Sequence, residues 1–148
     1  MFRFAGLALI LLLTIASLSC QTYTAGIQKG IAHADETAAT AALRTIATAQ
    51  RTYSVTSGGD FGTFQQLCAG DYLDARFNAE KPAIKDYVLT MTVTAKAAGQ
   101  PEGFYSCNAD PAGVGAQAGR HFYIDSRSGV LHANTERPAT ADDPIAQP

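Results

Sequence analysis

DETAATAALRTIATAQRTY, residues 35–53, decides the fold. Ala38, Ala39, Ala42, Leu43, Ile46, Ala49 and Tyr53 recur at three- and four-residue steps, the spacing of one helix face. Thr37, Thr40, Arg44, Thr45, Thr48 and Arg51 fall mostly on the other side. The stripe is narrow and rich in alanine, so a sheet can approach it closely. A helix that buries one face needs a partner layer, and the later half of the chain supplies strands for it.

The clearest strand is YVLTMTVTA at 87–95, where Tyr87, Leu89, Met91 and Val93 alternate with Val88, Thr90, Thr92 and Thr94. One face is apolar and the other mostly hydroxyl. GFYSC at 103–107, RHFYI at 120–124 and VLHA at 130–133 read as three more strands. The short turns between them favour an antiparallel meander. The expected fold class is therefore α+β: a long N-terminal helix packed on a small antiparallel β-sheet. The stripe Ala38, Ala42, Leu43, Ile46, Ala49 and Tyr53 is the expected packing face. Phe104, Phe122 or Tyr123, Ile124 and Leu131 are expected to fill the same layer as Tyr87, Leu89, Met91 and Val93.

Before the helix, MFRFAGLALILLLTIASLSC carries one positive charge, an apolar run and a small residue ahead of Cys20. That is a secretory leader, too short for a comfortable membrane span. Three readings stay open: lipidation at Cys20, cleavage near Ser19, or an uncleaved signal anchor. All three place the rest of the chain outside the cytoplasm. The lipobox resemblance is imperfect, because Ser17 stands where that pattern has leucine. Residues 21–34 read as a tether or helix extension, weakened by Gly26 and Gly30. His33 there reads as a solvated side chain.

Between helix and strands, SVTSGGDFG breaks the helix and TFQQLCA at 63–69 makes a short helical turn. The chain 109–119 reads as a glycine-rich connector, and the tail 134–148 as disordered. The domain proper is expected at 35–133.

Charged residues make up 16% of the 148-residue chain and the net charge is −2, so no basic surface for nucleic acid is expected. There is no tryptophan. With Cys20 set aside, Cys68 and Cys107 remain, and an oxidising compartment suggests a disulfide between them. Such a bond would close a loop worth about 4 kcal/mol by chain entropy. Two buried reduced thiols are the alternative. His121, Asp125 and His132 are the one candidate metal or acid–base cluster, if their strands pair; a decorated exposed sheet face is the plainer account. No HExxH, serine elbow or phosphate-cradling loop is present. No catalytic residue, cofactor or metal is expected.

ETAATAALRTIATAQ at 36–50 resembles the helix of bacterial type IV pilins and type II secretion pseudopilins. FGTFQQLCAGDYLDARF, YVLTMTV and RHFYIDSRSGVLHA follow in the order of that family. The resemblance covers about residues 34–133. It implies a pilin-like globular domain and partnership with pilus or secretion-system subunits. The N-terminus departs from the pattern: Phe4 to Ala8 offers no prepilin cleavage site, and the apolar run holds no acid. The expected function is a non-enzymatic cell-envelope structural or accessory protein, membrane-held through its N-terminus. An adhesion or ligand-binding module is the second reading, and a metal-dependent enzyme the third.

Overall fold

The computed structural model describes residues 30–112 and 119–147. The leader, Cys20, residues 21–29 and most of the glycine-rich connector lie outside the described residues.

A helix, α1, runs through residues 30–56. It is followed by a second helix, α2 (Phe64–Ala69), and a 3-10 turn at Ala75–Phe77. Five strands then form one sheet in sequence order: β1 (Ala83–Ile84), β2 (Tyr87–Thr94), β3 (Phe104–Pro111), β4 (His121–Asp125) and β5 (His132–Asn134). Every neighbouring pair is antiparallel.

The register explains the core. Leu89 pairs with Ala109, Ala109 with Phe122, and Phe122 with Ala133. Met91, Cys107 and Ile124 form the next row. These rows present one apolar face, with small Ala109 and Ala133 flanking large Phe122. Ala39, Leu43 and Ile46 of α1 are fully buried in the same cluster, and Ala42 and Ala49 nearly so. Ala38 is half-buried, and Tyr53 packs edge-on against Tyr72 at 5.4 Å between ring centres. On the outward side of α1, Thr37, Thr45, Thr48 and Thr52 return their hydroxyls to carbonyls four residues back.

α2 closes one end of the core. Thr63 and Gln66 cap it reciprocally, and Phe64 and Leu67 are buried beneath it. Phe64 stacks with Phe77 at 6.5 Å. The loop between α1 and α2 needs Gly59, whose φ is +97°. A Cβ there would collide with the Pro101 carbonyl oxygen. That close approach lets Gly103 N–H reach the Gly59 carbonyl and ties the loop to the β2–β3 hairpin.

The structure corrects the expected fold at four points. The sheet has five strands rather than four, because Ala83–Ile84 pairs back on Tyr87 and Val88. β3 continues past the expected strand end at Cys107 through Asn108–Pro111; Pro111 is tolerated because β3 is paired there on the β2 side alone. Helix geometry already holds at Gly30, as the helix-extension reading of 21–34 allows, and runs past the expected end at Tyr53 to Thr56. The tail is ordered through Gln147. Ala133 N–H donates to the Pro144 carbonyl, Ala146 N–H to the Leu131 carbonyl, and Ile145 bridges His132. The tail thereby covers the free edge of β5. Asp143 makes this order possible: it accepts from Asn134, from the amide and hydroxyl of Thr140, and from Arg137. The Asn134 bond leads these in holding its carboxyl down to about 2, against a smaller opposing effect of desolvation.

Two packing expectations also change. Phe104 lies on the other side of β3 from buried Tyr105, under the Arg127 guanidinium at 4.9 Å. Cys68 and Cys107 are both free thiols. Cys107 is sealed on the inner face of the central strand β3, while Cys68 donates to the Asp74 carbonyl at the end of α2.

Candidate functional site

The charged and polar groups of the described residues collect at three places. The first is the N-terminal part of α1. Glu36, buried on the apolar stripe, accepts from Arg120 Nε and Nη2 through one oxygen and from the Arg120 amide through the other. Tyr87 donates its hydroxyl to the Arg120 carbonyl at 2.9 Å. Burial is the main reason the Tyr87 phenol is raised, with Glu36 adding to it. Both Glu36 oxygens are engaged by Arg120, so this is a structural clamp.

The second place holds the histidines. His121 Nδ1 shares a 2.6 Å hydrogen bond with Asp110, and His132 Nδ1 another of 2.6 Å with the Asp143 carbonyl. The strands do pair, with Tyr123 opposite His132 and His121 opposite Asn134. Asp125, the third member of the candidate cluster, is engaged elsewhere. Among the described residues no group of three metal-ligating side chains converges. His33 is exposed on α1.

Asp125 builds the turn from β4 to β5. One carboxylate oxygen accepts from the amides of Arg127 and Ser128 and from the Ser128 hydroxyl; the other accepts from the Tyr123 hydroxyl. Gly129 completes the turn at φ +62°. Burial works to raise the Asp125 carboxyl, but the Ser128 bonds with those of Tyr123 and Arg127 outweigh it and leave it lowered.

The third place is open. A cleft of about 240 Å³ lies between the second half of α1 and this turn. Arg51, Glu102, Tyr105, Ser126 and Asp125 line it. Arg51 makes no ion pair among the described residues, and its guanidinium lies above the turn, 3.9 Å from where a Gly129 Cβ would stand. Tyr105 is 3% exposed, and its hydroxyl has no hydrogen-bond partner among the described residues. Since every sealed side-chain polar atom does have one, the hydroxyl reaches open space. Burial first, then the Cys107 thiol and the carboxylate of Asp125, push this phenol up to about 12, with Arg51 opposing. It is a hydrogen-bond donor at any ordinary pH. The two thiols are poor nucleophiles: burial raises both, assisted by Asp74 at Cys68 and Asp110 at Cys107.

The sequence reading missed this cleft. Its members come from four separate segments, and no spacing links them. The turn motif DSRSG was visible, but the residues facing it were not.

Compared with models of known families, with characterised proteins and with solved structures, the chain matches none, and nothing in those comparisons identifies a pilin-like domain.

Proposed function

We propose that this chain is a non-enzymatic accessory protein of a bacterial cell envelope, held at a membrane by its N-terminus with its folded body outside the cytoplasm. The observation that carries this reading is the leader itself, an apolar run ending at Ser19–Cys20 only ten residues before described helix begins at Gly30. Among the described residues no helix is long and apolar enough to cross a membrane. The proposed tether is the leader. α1 then acts as the spine between that tether and the sheet. The likeness of residues 36–50 to pilin and pseudopilin helices supports pilus or secretion-system subunits as the partners.

The hydrogen bonds that already engage Glu36, Asp125 and the Nδ1 atoms of His121 and His132 support a structural role for these groups. A ligand-binding module is a second reading, favoured by the cleft beside Arg51.

Expression with the native leader in a bacterial host, followed by fractionation and intact mass, tests the proposal. The expected result is a membrane-extracted chain that is acylated at Cys20 or retains its leader; a periplasmic chain that has lost it would overturn the membrane tether. An unmodified full-length chain in the cytoplasmic fraction would overturn it. Two hydrogens missing from the mass would restore the Cys68–Cys107 bond.

A further inference from the structure

We propose that the cleft between α1 and the β4–β5 turn binds an amino-acid zwitterion, its carboxylate on Arg51 and the Tyr105 hydroxyl and its ammonium on Glu102. This inference goes beyond the envelope role and does not depend on it.

The cleft brings together groups of opposite charge that the fold leaves unused. The Arg51 guanidinium offers a planar donor fork to a carboxylate. Tyr105 adds a donor from a side chain that is otherwise buried. Glu102 has no ion pair among the described residues and lines the same cleft. Asp125 also stands in the wall, but its oxygens are occupied by Tyr123, Ser128 and the Arg127 amide. It therefore does not compete with Glu102 for an ammonium.

Charge selects the ligand class. Arg127, the other cation of the turn, rests its guanidinium over the Phe104 ring. Arg51, Arg127, Glu102 and Asp125 all line the cleft, so it carries no net positive charge, which disfavours a dianion such as phosphate. A plain carboxylate satisfies Arg51 but leaves Glu102 facing its charge. A zwitterion satisfies both. The volume of about 240 Å³ suits a small amino acid better than a peptide.

The test uses the full chain in detergent micelles at constant ionic strength. Glycine, acetate, methylammonium and inorganic phosphate are titrated separately while backbone amide shifts are followed. Glycine is expected to give saturable shifts at Tyr105 and Ser126–Gly129, with an affinity about tenfold above that of acetate. Glu102→Gln is expected to bring glycine down to the acetate level. Arg51→Gln is expected to remove the response to both, with unchanged melting because Arg51 is exposed. Tyr105→Phe keeps the ring and removes only the donor, and is expected to weaken both carboxylates alike. Equal binding of glycine and acetate, tighter binding of phosphate, an unaltered glycine response in the Arg51 variant, or no saturable shift at all overturns the proposal.

Discussion

α1 is held at one end by charge and at the other by a neutral amide. Glu36 grips Arg120 through three hydrogen bonds of 2.9–3.0 Å. Gln50 grips the peptide groups of Gly62, donating to its carbonyl at 2.6 Å and accepting from its N–H at 2.9 Å. Both side chains lie on the buried stripe, and Gln50 is fully buried. The Arg120 side chain is 31% exposed, so water screens the charged end. The neutral end is sealed, and an amide there avoids the cost of desolvating an ion. The difference teaches that one helix can be fixed by two kinds of bond with separate responses to salt and acid.

The strongest way to break the comparison is to remove what both ends depend on. Leu43→Ala deletes the fully buried side chain between them and is expected to cost about 2–5 kcal/mol. Chemical denaturation measures it. A loss near zero would mean that the end clamps alone hold α1.

Gln50→Leu comes next. It keeps the bulk and orphans the N–H and carbonyl of Gly62, an expected loss of about 1–3 kcal/mol. That loss should be the same at low and high salt. Glu36→Gln is expected to cost about 1 kcal/mol after allowance for solvent screening, and less at high salt. Repeating both denaturation series at two salt concentrations separates the two ends. A salt-dependent Gln50 effect, or a salt-independent Glu36 effect, would erase the distinction.

The smallest effect sharpens the comparison in acid. Arg120 also reaches the Gln147 carbonyl, so the tail closes at the charged end. Asp143 latches that tail, and its carboxyl is depressed to about 2, chiefly by Asn134. A depressed carboxyl contributes stability above its unfolded value near 4 that is lost as pH falls through the folded value. Proteolysis of the tail by an acid protease is therefore expected to accelerate between about pH 4 and pH 2. Asp143→Asn should give fast cleavage across the whole range. The Gln50 clamp has no titrating partner and should stay closed.

Much of this architecture was written in periodicity. Leu43, Ile46 and Ala49 advertise the buried stripe, and the alternation at 87–94 advertises β2. The same stripe also carried a signal that went unread. Glu36 and Gln50 stand on it at helical spacing, and a polar residue on a buried stripe requires a partner. What the periodicity does not give is the partner, because Arg120 and Gly62 are brought there by tertiary packing alone. The tail misled for a related reason: its composition is that of disordered chain, yet Asp143 gathers Asn134, Arg137 and Thr140 into one network. Compartment and cysteine parity suggested a Cys68–Cys107 bond, but neither sees that Cys107 is sealed within the sheet. The cleft beside Arg51 was illegible because its residues share no local pattern.

Amide hydrogen exchange along α1 tests the central claim most directly: the helix is locked at both ends, to Arg120 ahead of β4 and to Gly62 ahead of α2. The account predicts that the amides of residues 40–50 exchange only through global unfolding. Gln50→Leu should then release the C-terminal turns, and Glu36→Gln the N-terminal turns. Exchange of the whole helix well below the global unfolding energy, with the sheet still protected, would contradict it.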